Sequence, residues 1–435
     1  MARSTEGAQN RPDPKFSAGL RPEWGYSTRY AAGQQAAFPI RCRIRRHPPR
    51  IADGYNHSHM AEPLKNQFGV DVPRRIGEQI AAVSKNFDHA AFLRDTLDRY
   101  EQLELMPRAR HIARQLRAYL PARYPDALKI LMASIGPRTK RGDAEGMAAF
   151  YYGPHTYFVS EFGLDDFELS MDAQYELTQR FTAEFSIRSF LEHHQEKTLA
   201  QLRLWANDEN VHVRRLVSEG SRPRLPWASR LRAFQKDPAP VLELLELLKD
   251  DPELYVRRSV ANNLNDIGKD HPEILVGVAQ RWLRNATEQR RWIINHALRS
   301  AIKRTERGAL ETLGFGTAAN VTVRNVSIAP ARPQIGQRVT VRLEVVNRET
   351  VVQRVLVDLR VHFVKANGQT SARTFKLKPL DLQGKQSVAM QKSISLAQLT
   401  TRKHYPGTHS VEVLLNGKAR RLGAFDVTKS RAAGS

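Results

Sequence analysis

Two ten-residue stretches, DENVHVRRLV (208–217) and DPELYVRRSV (251–260), decide the fold of this chain. They align at an offset of 43 residues, counted from Arg214 to Arg257, which lies in the range of helical HEAT-type repeats. A fainter third copy, QRRWII (289–294), places Arg290 a further 33 residues on. Each copy carries an Arg-Arg pair at one helical phase, so stacked helix pairs would align these cations along one surface. Such a surface suits a polyanion.

The region from 60 to 316 shows a helical pattern throughout. Apolar residues recur at four-residue spacing, as on the buried face of an amphipathic helix. The clearest sets are Ile112, Leu116 and Leu120; Leu177, Phe181 and Phe185; and Val256, Val260 and Leu264. Pro and Gly clusters, for example at 136–137 and 220–223, punctuate the pattern at short intervals. We therefore predict an all-α HEAT-like repeat solenoid of antiparallel helix pairs.

After residue 316 the apolar period changes from near four to two. Val339, Val341, Leu343 and Val345 alternate with polar residues, and Asn-Gly pairs at 367–368 and 416–417 are typical of hairpin turns. Roughly seven short strands in about 110 residues favour an all-β immunoglobulin-like sandwich over 317–428, with a short tail at 429–435. The predicted fold class is therefore multidomain, with the helical solenoid followed by the sandwich.

The chain is strongly basic, and the charge is unevenly distributed. Its 435 residues include 68 Lys and Arg against 45 Asp and Glu, a net charge of +23. Residues 317–435 hold 20 Lys and Arg against 6 acids and supply +14, whereas residues 60–316 hold 38 against 35. Nucleic acid is therefore the first partner to expect. No apolar run approaches the 18 residues of a membrane span, and a lone cysteine, Cys42, fits the reducing cytoplasm.

The first 59 residues differ from the rest of the chain. They are rich in Pro, Gly, Arg and Ser and show neither a helical nor an alternating apolar period. We interpret residues 1–59 as a disordered basic arm. Met60 begins the ordered pattern, and a natural start at Met60, with the arm upstream of it, is the alternative to a translated arm.

Three carboxylates are candidates for chemistry. Glu184 falls on the apolar stripe of a helix predicted from about 172 to 187, where an inward carboxylate is expensive unless it is paired or useful. An internal ion pair with an arginine such as Arg188 is the alternative. Glu219 and Asp266 end the two Arg-Arg helices, so both should emerge at one end of the concave face. Taken singly, each fits a solvated acid at a helix end.

The arginine pairs also have two interpretations. They could face phosphate, or they could join successive repeats through ion pairs with Asp208, Asp250 and Asp251. We predict DNA contacts among the following cations of the solenoid: Arg214, Arg215, Arg222, Arg224, Arg257, Arg258, Arg290 and Arg291. In the sandwich the candidates are Arg373, Lys376, Lys378, Lys418, Arg420 and Arg421. The single cysteine and the lack of ligand spacing around His193-His194 exclude a zinc or iron–sulfur set, and there is no Gly-rich phosphate loop.

Three further stretches, MAEPLKN (60–66), QRFTAEFSIR (179–188) and SEGSRPRLPW (218–227), resemble the AlkC branch of bacterial alkylpurine DNA glycosylases. The resemblance covers about 60 to 428, and the stretch from Glu219 to Trp227 is its most specific part. It implies excision of cationic N3-methylated bases, chiefly 3-methyladenine and also 3-methylcytosine, from duplex DNA in base excision repair. It places the catalytic acids at Glu184, Glu219 and Asp266 and a lesion-facing aromatic at Trp227.

The resemblance also implies how the reaction would proceed. The methylated base leaves as a neutral molecule, so carboxylates need only stabilise the oxocarbenium-like sugar and activate water. We expect no cofactor and no metal, a monomer, and bent DNA whose lesion is not flipped into a pocket. The expected location is the bacterial cytoplasm, at the nucleoid. The alternative function is a non-catalytic HEAT-repeat scaffold that binds DNA or a protein.

Overall fold

The computed structural model describes residues 64–138, 148–316, 319–399 and 402–429. The predicted arm at 1–59, Met60 and all of the tail but Lys429 lie outside these ranges. The predicted fold class is confirmed, because the described chain changes from helices, which end at Thr312, to strands, which begin at Val321. No helix in the described ranges is both long and apolar enough to cross a membrane.

The helical region is built from short helices that pack around a continuous apolar core. Their bounds are α1 Asp71–Val83, α2 His89–Leu97, α3 Leu105–Tyr119, α4 Tyr124–Ser134, α5 Gly153–Phe162, α6 Phe167–Thr178, α7 Ile187–His193, α8 Gln195–Trp205, α9 Val211–Gly220, α10 Arg232–Lys236, α11 Ala239–Leu248, α12 Leu254–Asp270, α13 Pro272–Leu283, α14 Glu288–Ala297, α15 Arg299–Lys303 and α16 Arg307–Thr312.

The four-residue spacing predicts two of these helices well and fails at a third. Ile112 and Leu116 in α3, and Val256, Val260 and Leu264 in α12, are fully buried on the core side. The helix predicted from about 172 to 187 is wrong, because α6 ends at Thr178 and α7 begins at Ile187. The hydroxyl oxygen of Thr182 accepts the backbone N–H of Glu184 at 3.2 Å, a local bond that replaces a helical one.

The second region is a sandwich of two antiparallel sheets. Its strands are β1 Val321–Ala329, β2 Arg338–Asn347, β3 Gln353–Val364, β4 Thr370–Leu382, β5 Ser387–Ser395, β6 Gly407–Leu415 and β7 Lys418–Val427. One sheet has the order β1-β2-β5 and the other β4-β3-β6-β7. The alternating residues of β2, from Val339 to Val345, are buried between the sheets as predicted. Both Asn-Gly pairs form hairpin turns, and Gly368 and Gly417 take the positive φ that such turns require.

The sandwich packs directly on the last helices. The Asn416 amide donates to the carbonyl of Gly316 at 2.7 Å, and the Arg354 guanidinium lies 5.1 Å from the ring centre of Phe315. Leu356 of β3 packs against the helical core. The 416–417 turn approaches α16 so closely that a Cβ on Gly417 would stand 3.0 Å from Leu310. These contacts fix the base of the sandwich against the helices, which is where β3 begins.

Candidate active site

Arg222 brings Glu219 and Asp266 together. Its Nη1 donates to Glu219 Oε1 at 2.6 Å, while Nε and Nη2 donate to Asp266 Oδ2 at 2.8 and 2.7 Å. Ser259 Oγ donates to the second oxygen of Glu219 at 2.5 Å, and Lys269 Nζ lies 2.7 Å from Asp266 Oδ1. One planar guanidinium therefore holds two carboxylates, Glu219 of α9 and Asp266 of α12. Asp266 lies 44 residues after the arginine in the sequence.

Glu184 joins the same cluster through Arg215. The Arg215 guanidinium forms an ion pair with Glu184 and lies 3.6 Å from Glu219 Oε1. Thr182 Oγ1 donates to Glu184 Oε2 at 2.9 Å, and the face of Tyr255 lies 5.3 Å from the Arg215 guanidinium. We call Glu184, Glu219 and Asp266 the acid cluster. Each member pairs with Arg215, with Arg222 or with both, so the structure brings all three predicted acids to one place.

Burial and charge act in opposite directions on these carboxylates. The Glu219 and Asp266 side chains retain only 8% and 1% of their exposure, and that of Glu184 retains 12%. Burial raises the pKa of Glu219, but the charges of Arg215 and Arg222 and the hydrogen bond from Ser259 outweigh it, so this pKa lies below its ordinary value. Glu219 is therefore ionised at neutral pH. The alternative interpretation of Glu219 and Asp266 as solvated helix-end acids is wrong, and Asp266 lies inside α12 rather than at its end.

A buried arginine shapes the loop that follows Glu219. Arg188 is 2% exposed and donates from Nη1 to the carbonyls of Gly220 and Arg222 at 3.1 and 2.8 Å, and from Nη2 to the carbonyl of Ser229. Burial, together with the charge of Arg222, lowers the pKa of Arg188 to about 10, so it remains cationic at neutral pH. The alternative pairing of Arg188 with Glu184 is thus not what the structure shows; Arg188 holds the 220–229 loop.

That loop presents Trp227 to solvent. Trp227 is 68% exposed and has a φ of 64°, a left-handed conformation that costs a bulky residue about 1–3 kcal/mol. It borders an open groove of about 410 Å³ whose other wall is formed by Tyr157 and by Arg110 and Arg114 of α3. No described ring contact or hydrogen bond joins Trp227 to the acid cluster. Its predicted role against the lesion therefore stays a prediction.

Ion pairs within the chain occupy several of the predicted DNA contacts. Arg214 donates to Asp251 Oδ2 at 2.6 Å and Arg290 to Asp250 Oδ1 at 2.7 Å, which matches the repeat-to-repeat interpretation. Arg224 donates to Asp270 Oδ2 at 2.8 Å. Arg215 and Arg222 belong to the acid cluster. These five arginines hold the solenoid and the cluster together.

The remaining arginines of the Arg-Arg pairs are Arg257, Arg258 and Arg291, and they form no salt bridge among the described residues. Arg257 Nη1 donates to the carbonyls of Asp251 and Pro252, six and five residues earlier, just as Arg214 does to those of Asp208 and Glu209. Arg291 donates to the carbonyl of Ala286, also five residues earlier. The third copy is therefore in register at Arg291, not at Arg290 as predicted. Arg258 and Arg291 are exposed.

The six candidate cations of the sandwich are all exposed, but they fall into two groups. Arg373, Lys376 and Lys378 lie on β4, and Lys418, Arg420 and Arg421 lie on β7. These strands are opposite edges of the four-stranded sheet, roughly 14 Å apart at the usual spacing of strands. The sequence could not show this separation, since it depends on strand order.

Sequence reasoning missed three residues that serve the acid cluster. Ser259 and Thr182 donate to Glu219 and Glu184, and Lys269 covers Asp266. Ser259 follows directly after the repeated Arg-Arg pair, so the repeat pattern in the sequence already indicates its position on the inward side of α12. In the described ranges there is no group of three His, Cys, Asp or Glu side chains that could hold a metal ion.

Comparisons with known proteins point in one direction. Residues 180–302 match the family model described as DNA alkylation repair enzyme, and residues 322–429 match the C-terminal Ig-like domain of the uncharacterised protein YhaZ. The chain is 36% identical to YhaZ of Bacillus subtilis over 366 residues, which is 84% of this chain and 99% of YhaZ. It is 38% identical to the Pseudomonas fluorescens alkylpurine DNA glycosylase AlkC, solved bound to DNA containing an abasic site analog. That match covers 84% of this chain and 99% of AlkC with a TM-score of 0.76.

Proposed function

This chain belongs to the family of the AlkC alkylpurine DNA glycosylase, and from that premise we propose that it excises cationic N3-methylated bases from duplex DNA. The substrates proposed are 3-methyladenine and 3-methylcytosine, and the reaction is the first step of base excision repair. The acid cluster is the observation that carries the proposal. Three carboxylates on two shared arginines form a strongly polar, largely buried site on the solenoid.

The chemistry of the leaving base suits such a site. A base methylated at N3 already carries positive charge in the nucleotide, so it departs neutral and needs no proton. The sugar left behind becomes cationic, and fixed carboxylates stabilise that charge best where water is largely excluded. Glu219, held ionised by Arg215 and Arg222, is suited to this field and not to donating a proton. One of the three carboxylates can also orient and deprotonate the attacking water.

The cover over Asp266 defines one step of substrate entry. Asp266 Oδ2 is occupied by Arg222, and Oδ1 is covered by Lys269, whose side chain is 37% exposed. A sugar can approach Oδ1 only if the Lys269 ammonium moves aside. Because a lysine has four rotatable side-chain bonds and a nearby phosphate offers it an alternative partner, DNA binding can uncover this carboxylate.

The open groove beside Trp227 supports a lesion that stays at the surface of the duplex. The exposed indole can stack on a base or sugar and attract positive charge through its quadrupole. Its groove is lined partly by cations of α3 and is open to solvent. A bent duplex lying along this face brings its lesion to the acid cluster without a tight enclosing pocket, at a bending cost of a few kcal/mol.

Cations at the boundary between helices and sandwich are the best candidates for phosphate contact. We call Arg258, His296, Arg299 and Lys376 the junction cluster. Arg299 donates to Asn262 Oδ1 at 2.8 Å, and His296 Nε2 lies 3.3 Å from the same oxygen. Burial lowers the pKa of His296, and Arg299, Arg258 and Lys376 lower it further. Within the described ranges no member of the cluster forms a salt bridge, in contrast to Arg214, Arg222 and Arg224.

The junction cluster gives a prediction about salt. Arg258→Gln with Lys376→Gln removes two exposed cations that form no salt bridge among the described residues. Loss of one contact between a cation and a DNA phosphate should reduce the slope of log affinity against log salt by about 0.9. We therefore expect the slope for duplex DNA, measured by fluorescence anisotropy over a range of salt concentrations, to decrease by about 1–2 in this double variant.

The matched control removes the same charge elsewhere. Arg123 and Arg307 are exposed and lie 3.5 and 2.7 Å from Asp126 and Glu311, so Arg123→Gln with Arg307→Gln should leave the slope unchanged. Equal slopes for the two double variants would contradict the proposed contact.

The function itself is tested by base release. Methylated duplex DNA incubated with the full chain should yield free 3-methyladenine, detected by chromatography, and Glu219→Gln should abolish the yield while DNA binding persists. A non-catalytic scaffold would bind the same duplex and release no base above the spontaneous background.

A further inference from the structure

A second concentration of positive charge lies in the sandwich, outside the acid cluster. Strand β3 starts at the base that contacts the helices and ends at Val364, and β4 starts at Thr370. Together with residues 402–405, these ends enclose an open cavity of about 310 Å³. No lining residue is acidic, and four are cations: Lys365, Arg373, Arg402 and Lys403.

In the part of the chain that the structure describes, none of these four cations forms a salt bridge. The Arg373 guanidinium instead lies 5.3 Å from the ring centre of Phe375, and both burial and the charge of Arg402 lower the pKa of Arg373. Like charges that line one cavity repel each other. A bound anion would remove that repulsion.

A buried histidine gives a second, independent observation. His404 is 3% exposed and lines the same cavity, yet its Nε2 has no hydrogen-bond partner among the described residues. Gln398 fixes its backbone on both sides, and Phe363 packs edge-on against its ring at 5.3 Å. A buried polar nitrogen without a hydrogen-bond partner is destabilising, so the position of His404 Nε2 indicates a contact with a ligand atom.

We propose that this cavity, the sandwich pocket, binds a phosphate group, with Arg373 and Arg402 as its main donors and His404 Nε2 completing the contact. Planar guanidinium forks match the spacing of phosphate oxygens, and several converging cations select a multiply charged oxyanion. The volume leaves room for a sugar on either side of the phosphate, as in a phosphodiester. The inference rests on the proposed function only for the source of that phosphate, which is DNA backbone or a free phosphate compound.

Nuclear magnetic resonance of the full chain tests phosphate binding directly. The ring resonance of His404, assigned by its loss in His404→Gln, should move on titration with inorganic phosphate. In Arg373→Gln with Lys403→Gln the midpoint of that movement should rise at least about tenfold. The control, Arg338→Gln with Arg342→Gln, removes two exposed cations of the other sheet that donate to Ser393 and Gln391, and it should titrate like the wild type.

Duplex DNA identifies the source. If the phosphate is that of DNA, the Arg373/Lys403 double variant should bind a short duplex more weakly than the Arg338/Arg342 control variant does. If phosphate binds but duplex affinity is unchanged, the pocket serves a free phosphate compound. A His404 resonance that does not move, or that titrates identically in the double variant, overturns the proposal. None of these results depends on whether the acid cluster is catalytic.

Discussion

Asp266→Asn should reduce the rate of 3-methyladenine release by about 10²- to 10³-fold. The substitution keeps the shape of the side chain but removes a carboxylate charge that is 1% exposed and held by Arg222 and Lys269. Loss of one preorganised electrostatic group of this kind costs about 2.7–4 kcal/mol in the transition state. Single-turnover assays, with enzyme in excess over methylated duplex, isolate this chemical step from product release.

Asp270→Asn is the matched control for that experiment. Asp270 lies one helical turn further along α12, and it pairs with Arg224 outside the acid cluster. The two substitutions make the same change in charge and volume on the same helix. A rate for Asp266→Asn within about threefold of that for Asp270→Asn would rule out a catalytic role for Asp266, provided that both variants bind DNA.

Arg222→Met should destabilise the folded protein by about 3–5 kcal/mol. Removing one partner of a buried ion pair leaves the other charge uncompensated, and here two carboxylates, Glu219 and Asp266, lose a shared guanidinium. Urea unfolding at neutral pH measures this difference in the free energy of unfolding. Base release should fall with it, because the two acids would repel each other out of position.

The difference should also depend on pH. In the wild type the pKa of Glu219 is depressed, so this group adds stability above its ordinary pKa of 4.5 and loses that contribution as the pH falls through its lower folded value. Without Arg222 the pKa of Glu219 rises, and protonation relieves the repulsion. The difference in the free energy of unfolding between wild type and Arg222→Met should therefore become smaller as the pH falls from neutral towards the ordinary pKa of 4.5.

Arg224→Met serves as the control, since Arg224 sits on the same loop but pairs with Asp270 and is 23% exposed. We expect a loss of about 1–2 kcal/mol for it. Equal losses for the two variants at neutral pH, with no change in their difference at lower pH, would contradict the role assigned to Arg222.

Periodicity in the sequence predicts the regular parts of the fold. The apolar residues of α12 and the alternating residues of β2 are buried as their spacing indicates, because each element has one face on a core. The same spacing misleads at Phe181 and Phe185. Both are apolar because they line a small apolar cavity with Phe150 and Tyr157, although the chain between α6 and α7 is not helical. A loop that packs on a core carries the same residues as a helix that does.

The candidate site could be predicted in its members but not in its arrangement. The family resemblance and the helical spacing predict Glu184, Glu219 and Asp266, and the three side chains meet in space. The sequence does not predict that Arg222 joins two of these acids instead of facing DNA. An arginine that pairs with a neighbouring acid and an arginine that contacts DNA look the same in a sequence. Burial decides between the two, and burial depends on how α9 and α12 pack.

In the proposed reaction, the acid cluster promotes cleavage of a glycosidic bond by stabilising the cationic sugar, and the base is not protonated. The most direct test compares two leaving bases in one duplex sequence under single-turnover conditions: cationic 3-methyladenine and neutral hypoxanthine. We expect rapid release of 3-methyladenine and no release of hypoxanthine above the spontaneous background. Comparable release of both bases would require protonation of hypoxanthine and would contradict a mechanism in which the carboxylates act only on the sugar and on water.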